Sequence, residues 1–394
     1  MKIAICGAGI AGCTLAHWLL AAGHEVTLIE QADALRTGGY VIDFWGVGYE
    51  LAERMGILPR VLAAGYNDEM VKFVDARGHT RASFSSRVFE KALDGRFTSL
   101  PRGELVKAIF DSLPGRPEVL FGETLAAIEP QADGVRVRLR GGDERAFDAV
   151  VGADGQHSIV RRLAFGPDTA FERPLGCYVA ACQVAGYRPR EEAAYVSFTK
   201  PGSEVARFTL REDRTMLLFM FDAGLMVGTQ PHDDASRKAV LRQVFADHGW
   251  ETPQMLAALD RVDELYFDSM SQIVMPRWSS GRVGLVGDAA GCVSLLAGEG
   301  SGLAMAGAYV LAGELAAEAG NPQAAFARYE QRLRPLIEAK QRAARRFAFY
   351  FAPRTKLAIW LRNQAVKLIG LPIVGPALVA RDLRDDFVLP TYGG

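Results

Sequence analysis

Charge of one sign, paired cysteines, metal-ligand clusters and long apolar runs are all missing from this sequence. Lys and Arg number 45 against 46 Asp and Glu, a net charge of −1. So even a balance gives no electrostatic reason to bind nucleic acid, and no basic stretch is interleaved with aromatics. The cysteines, Cys6, Cys13, Cys177, Cys182 and Cys292, are odd in number and scattered. They lack metal-ligand spacing and fit a reducing compartment, with Cys177 and Cys182 read as core thiols on a strand. No run of about 18 uninterrupted apolar residues occurs, so no membrane span is expected. The apolar N-terminus is broken by three glycines and has only Lys2 as a charged start, unlike a signal peptide. A cytoplasmic protein, monomer or homodimer, is the default expectation.

What is present is a chain of 394 residues, 49% apolar and 23% charged, long enough for two or three domains. Its organising stretch is the first thirty residues. Ile3 to Cys6 form a short apolar run suited to a buried parallel strand. Gly7, Gly9 and Gly12 follow in GxGxxG spacing, then a helical run with Leu15, Trp18, Leu19 and Ala22 on one face, stopped by Gly23. Val26 to Ile29 read as a second strand ending in Glu30, 18 residues past Gly12. The first glycine permits a tight turn, the second lets a pyrophosphate reach bare backbone, and the third lets helix and strand pack closely. A carboxylate about 20 residues on can accept both ribose hydroxyls. Bare glycine spacing is weak in a chain with 41 glycines. The flanking strand, helix and acid make it strong.

Further along, Gly38 and Gly39 mark a turn, Tyr40 to Phe44 read as a strand, and Gly46 opens a helix stopped by Gly56. Residues 71–85 alternate as strands. A helix carries Leu105, Ala108, Ile109 and Leu113 on one face, and short strands follow. From Phe171 to Met275 the pattern becomes that of antiparallel strands, interrupted by one helical segment near Asp234 to Phe245. A buried strand and glycine turn then return at GRVGLVGDAAG, followed by a small-residue helix. A long helix with a solvated basic face runs on to Pro353, and an apolar-faced helical tail ends the chain.

Two more strings carry chemistry. VVGADGQHSIVRR holds Gly152, Asp154, Gly155, Ser158 and Arg161, with His157 read as structural. RVGLVGDAAG sets Gly287 and Asp288 after a buried strand, with Gly298, Gly300 and Gly302 entering the next helix. A carboxylate at a strand end can hold a ribityl hydroxyl, and amides at a helix start can meet a phosphate or an anionic flavin ring.

With the first glycine motif, these strings in this order resemble the FAD-dependent aromatic hydroxylases of the p-hydroxybenzoate hydroxylase type. Within them the chain is most similar to the tetracycline-inactivating monooxygenases and their relatives. GGYVIDFWG, LPRGELVKAI, LYFDSMSQIVMPRW, GAYVLAGEL and AFARYEQRLRPLIEAKQ extend the resemblance over nearly the whole chain. It implies an α/β fold: a Rossmann-like FAD-binding domain (1–70, 102–170 and 276–350), an inserted antiparallel-sheet substrate domain (71–101 and 171–275) and a C-terminal helical segment (351–394). It implies FAD as cofactor, NADPH or NADH as transient donor, and dioxygen and a small aromatic or polyketide-like molecule as substrates, with oxygen transferred from a flavin C4a-hydroperoxide.

By the same resemblance, Gly7, Gly9, Ala11 and Gly12 meet the pyrophosphate and Glu30 the adenosine ribose. Arg36 and Arg102 contact the ribityl-phosphate side. Asp154 and Gly155 serve FAD and NAD(P)H, and Gly287 and Asp288 the ribityl chain. Asp43 lies beside the flavin ring. Leu125, Gly298, Gly300, Ser301 and Gly302 complete the cofactor set. Phe44, Met216, Phe219, Met220, Phe221 and Leu295 are the candidate substrate lining, an apolar wall against water. No metal site and no single acid or base stands out. The chain departs from the family pattern at Gly291, Ser294, Leu295 and Glu299, where His, prolines and Gln are usual. That leaves open a flavin oxidoreductase without oxygen insertion, halogenase-like or a dehydrogenase, or a protein that sequesters flavin or drug. The halogenase WxWxIP string is absent around Trp45, Trp250 and Trp278. The C-terminal apolar segment has three readings: packing across the two domains, which is preferred, lying on a membrane surface, or a dimer contact.

Overall fold

The computed structural model describes the chain except residues 37, 39, 67–69, 189–190, 192–193, 229, 263, 296–297, 319, 352, 373, 384–386 and 393–394, and except the side chains of 346–351 and 382. Gly39, expected to share a turn with Gly38, lies outside the described residues.

The first strand, Lys2–Cys6, is the centre of a six-stranded sheet. Its Ile3, Ala4 and Ile5 are sealed on both faces, as a run apolar at every position requires. It pairs in parallel with Glu25–Glu30 on one side and Ala149–Gly152 on the other. Glu118–Phe121 and Val283–Leu285 extend the sheet in parallel, and Ser279–Ser280 closes an edge antiparallel. The chain thus returns to this sheet after residue 276, as the GRVGLVGDAAG string predicts. Against one face lie the helices Ile10–Ala21 and Gly300–Ala317, packed on each other. The second is apolar nearly all round, so it is buried nearly all round.

A seven-stranded sheet forms the other half, in the order Tyr266–Ile273, Glu172–Ala185, Arg214–Asp222, Ser203–Thr209, Ala194–Lys200, Met70–Val74, Thr80–Ser85. The sheet is mixed rather than wholly antiparallel, because Met70–Val74 enters from the N-terminal part and pairs in parallel with Ala194–Lys200. The single helical interruption expected near Asp234 is two helices, Asp234–Val244 and Thr252–Ala258. Asp233 and Ser236 start the first with a reciprocal capping box. Both belong to one apolar cluster on the outer face of the sheet. Cys177 and Cys182, five positions apart on one strand, fall on opposite faces, and all five cysteines are buried and free.

The long helix Pro322–Phe351 runs through Pro335. Part of its basic face is ion-paired: Arg328 to Glu318, Arg332 to Glu314 and Arg334 to Glu330. The C-terminal helices Lys356–Ile369 and Val374–Leu383 follow. The first packs on Thr80–Ser85 and Ala194–Lys200, and the second on the short helix Arg87–Ala92. The tail then crosses to the other half. Leu389 is buried in the main core, Tyr309 Oη donates to the Pro390 carbonyl at 2.9 Å, and Tyr392 Oη donates to Glu314 at 2.8 Å.

Candidate active site

Strand ends from both halves converge on one cavity of about 2130 Å³. That exceeds the roughly 300–1,000 Å³ of a typical single-ligand pocket, so a dinucleotide and a second molecule fit together. At one end is the loop after the first strand. Gly7 has φ +102°, and a Cβ there would stand 2.5 Å from the Ala153 carbonyl oxygen. A Cβ on Gly12 would stand 1.9 Å from the Gly7 carbonyl oxygen. These two glycines hold strand, loop and helix together. Gly9 differs: its nearest neighbour is the Arg102 guanidinium at 3.5 Å, and it faces the cavity. It is the position where bare backbone is open to a ligand.

Glu30 ends the second strand and is nearly buried, with one edge on the cavity. Its Oε2 accepts from the Ala8 amide at 2.8 Å and its Oε1 from the Ala32 amide at 2.9 Å. The carboxylate is therefore fixed beside the glycine loop. Arg36 lies 4.0 Å from Glu30 and is mostly exposed on the cavity rim. Arg102 begins the helix Arg102–Phe110, and its guanidinium lies over the glycine loop with no hydrogen-bond partner among the described residues. A cation so placed matches an anionic phosphate.

Asp288 lies deep in the same cavity. Burial raises its carboxyl above the usual range, while Arg102 and a hydrogen bond with Cys292 oppose the shift. Tyr40 and Tyr266 face each other at 5.4 Å beside it. Burial pushes the Tyr40 phenol up to about 12 and Tyr266 higher still, so both are neutral donors at ordinary pH. Asp154 works locally: its Oδ2 accepts the Ile159 and Val160 amides at 2.7 and 3.1 Å, starting the helix Ile159–Phe165. Its Oδ1 is buried without a hydrogen-bond partner among the described residues, and Asp154 is on the cavity wall, so the oxygen is an acceptor left for a ligand. Gly298, Gly300 and Ser301 line the cavity at the start of the helix Gly300–Ala317, so that helix's first amides open toward it.

Not every expected residue reaches the cavity. Gly12, Gly287 and Gly302 lie behind its wall; a Cβ would meet Ala11 at 2.9 Å from Gly287 and Gly48 at 3.3 Å from Gly302. Their part is close packing. Leu125 is a core side chain, and its neighbour Thr124 takes the wall position. Phe44 is also core: on strand Val41–Trp45 its side chain turns inward, while its neighbours Asp43 and Trp45 line the cavity. The same two-residue period corrects Phe219 and Phe221. They lie on the outer face, in ring contact with Phe245 at 5.3 and 6.0 Å. Met216, Leu218 and Met220 share the inner face. Leu218 joins them though no motif marks it; the two-residue strand period alone identifies it. Leu295 stands on the wall, packed in the Met220 cluster.

The inner face also carries a polar group that the sequence did not reveal. Arg362, on the C-terminal helix, donates to Glu204 at 2.9 Å and to Thr199 at 2.9 Å, and its guanidinium lies 4.6 Å from the Phe73 ring centre. Both ion-pair side chains are only 4% exposed. Burial raises the Glu204 carboxyl, opposed by Arg362. Nearby, Ser99 Oγ donates to Asp43 Oδ1 at 2.5 Å, and burial raises the Asp43 carboxyl against that bond.

His157 is more than loop filling. Its Nε2 lies 3.0 Å from Asp268 on the opposing sheet, and the carboxylate holds its imidazole above the ordinary 6.5. The raised value sets the sign: the link adds stability in full below about pH 6.5 and loses it as pH climbs through the folded-state value. Titration of His157 by NMR is expected to give a lower pKa in Asp268→Asn than in the wild type. An unchanged value would remove the link.

The cradle at Gly9, the unpaired Arg102, the orphaned Asp154 oxygen and the acid at a strand end fit the phosphates and polyol of FAD. Asp288→Ala is expected to weaken FAD retention by roughly 1–3 kcal/mol, through the loss of hydrogen bonds to a charged acceptor. An unchanged dissociation constant would take Asp288 out of the site.

Comparison with known proteins agrees. A family described as FAD binding domain matches residues 1–344. A flavin-dependent monooxygenase from an unknown prokaryotic organism is 34% identical over 351 residues, 86% of this chain and 87% of that protein. An FAD-dependent monooxygenase of Sarocladium schorii is 29% identical over 100% of this chain and 98% of its own. Among solved structures, the tetracycline destructase Tet(51) superposes with a TM-score of 0.84 at 30% identity, covering 99% of both chains. The chain belongs to the FAD-binding family of flavin-dependent monooxygenases.

Proposed function

We propose that this monooxygenase uses NADPH or NADH and dioxygen to hydroxylate an aromatic or polyketide-like small molecule. The observation that carries the reading is the continuity of the cavity. Its glycine-loop end is polar and suited to phosphates, and its other end is walled by Val71, Phe73, Met216, Leu218, Met220 and Trp45. On this reading residues 1–70, 102–170 and 276–350 bind FAD, 71–101 and 171–275 bind substrate, and 351–394 bridges them. Bound FAD supplies the redox chemistry, carrying electrons from the nicotinamide to dioxygen and an oxygen atom to the substrate.

The chain's own residues do the rest. Arg102 and the first amides of helix Gly300–Ala317 balance anionic charge on the cofactor. The apolar wall excludes water, which protects a reactive oxygen donor from wasteful decay. Asp43, with Oδ1 held by Ser99, offers Oδ2 to a substrate hydroxyl. Its raised pKa brings it closer to the working range of a base for a phenol proton. Glu204, held by Arg362, and Tyr195, whose Oη lies 3.5 Å from the Glu204 carboxylate, give a second polar contact for the substrate.

The test is mass spectrometry of products from an aromatic and polyketide panel incubated with the FAD-loaded protein, NADPH and ¹⁸O₂. A product carrying one labelled oxygen supports the proposal. Oxidised products without label, or no turnover on any member, would favour an oxidoreductase without insertion or a binding protein.

A further inference from the structure

The C-terminal helix Lys356–Ile369 has two apolar faces, and the protein covers only one. Arg362, Val366 and Ile369, at positions i, i+4 and i+7, face the substrate end of the cavity. The opposite stripe carries Leu357, Trp360, Leu361 and Leu368, with Leu357 65% and Trp360 57% exposed. Leu371, Val374 and Leu378 continue it, exposed, through the bend into the next helix. Seven large apolar side chains thus stand in water on one short segment. A patch of this extent marks an interaction site rather than scattered surface residues.

Charge indicates which partner. Over the two helices, Lys356 to Leu383, the sequence holds Lys356, Arg362, Lys367 and Arg381 against one acidic residue, Asp382, near the far end of the second helix. Arg362 is committed to Glu204. Lys356 and Lys367 are exposed, one at each end of the stripe, and form no ion pair among the described residues. An isologous dimer through this stripe would bring like charges together at the rim. An anionic bilayer meets both demands, taking leucine and tryptophan into the acyl boundary and lysines at the headgroups. The helices are too short to span singly, and the two lie at 110° to each other, a geometry for lying on a surface.

We propose that Lys356–Ile369 and the following helix dock this protein on anionic lipid membrane surfaces, with the stripe at Leu357, Trp360, Leu361 and Leu368 inserted. Docked this way, the helix separates lipid on one face from the cavity on the other, so an apolar compound dissolved in the bilayer has a short path to the site.

The test is flotation of the purified, FAD-loaded full chain with vesicles. Vesicles of phosphatidylglycerol and phosphatidylcholine are compared with pure phosphatidylcholine, and solution mass is measured by sedimentation. The wild type is expected to float with the anionic vesicles. Binding should weaken roughly tenfold or more in Lys356→Glu/Lys367→Glu, and vanish in Trp360→Glu/Leu361→Glu. Thermal melts and flavin content should be unchanged in both, since these side chains face solvent. No flotation, flotation indifferent to lipid charge, or variants that bind like wild type would overturn the proposal. So would a stable dimer that Trp360→Glu/Leu361→Glu splits while vesicles stay unbound.

Discussion

Glu204→Ala is expected to destabilise the protein by about 3–5 kcal/mol and to free its C-terminal helices from the sheet. The reason is the position of Arg362. Its guanidinium is enclosed between the sheet and the Phe73 ring, with Glu204 and Thr199 as partners, and its Nε already lacks one among the described residues. Removing the carboxylate leaves a buried cation with no counter-charge. Removing both charges does not, so Glu204→Met/Arg362→Met is expected to recover most of the loss. Chemical denaturation of the three proteins measures this, with limited proteolysis reporting on the C-terminal segment. Equal stability of single and double variants would show that the pair is not what fastens the helix.

Gly12→Ala is expected to cost roughly 3 kcal/mol or more and to abolish FAD binding, where Gly9→Ala leaves a folded protein. A methyl at residue 12 falls 1.9 Å from the Gly7 carbonyl oxygen, and neither backbone can move without separating the first helix from the central strand. At residue 9 the methyl meets only the end of the Arg102 side chain, at 3.5 Å, which can swing aside. Gly9→Ala should therefore keep the wild-type melting curve while FAD binds more weakly, because the methyl stands in the cavity. Circular dichroism melts with flavin titrations separate the two. A stable Gly12→Ala that still binds FAD would contradict the packing described for this loop.

The dinucleotide half was legible in the sequence because its signals are local. A buried strand, three glycines, a helix and Glu30 fall within thirty residues; backbone sterics require Gly7 and Gly12, and an open approach for a ligand accounts for Gly9. Asp288 was visible for the same reason, at the end of an apolar strand. The substrate half depends on contacts far apart in sequence. Nothing near Glu204 announces a partner 158 residues away, although an arginine sharing a helix face with Val366 and Ile369 was a usable hint. Phe219, Phe221 and Phe44 stand away from the cavity because strand period, not residue type, decides which face a side chain takes. Asp154 shows a further limit: a motif marks the residue, but only the structure separates the oxygen that starts a helix from the one left open to the cavity.

Titration of the purified apoprotein with FAD, followed by flavin fluorescence and absorbance, asks whether the glycine loop, Arg102 and Asp288 hold the cofactor. Saturable one-to-one binding is expected, weakened by Arg102→Ala and by Asp288→Ala while the melting curve of the apoprotein stays put. A folded wild-type protein that remains colourless in excess FAD would contradict it.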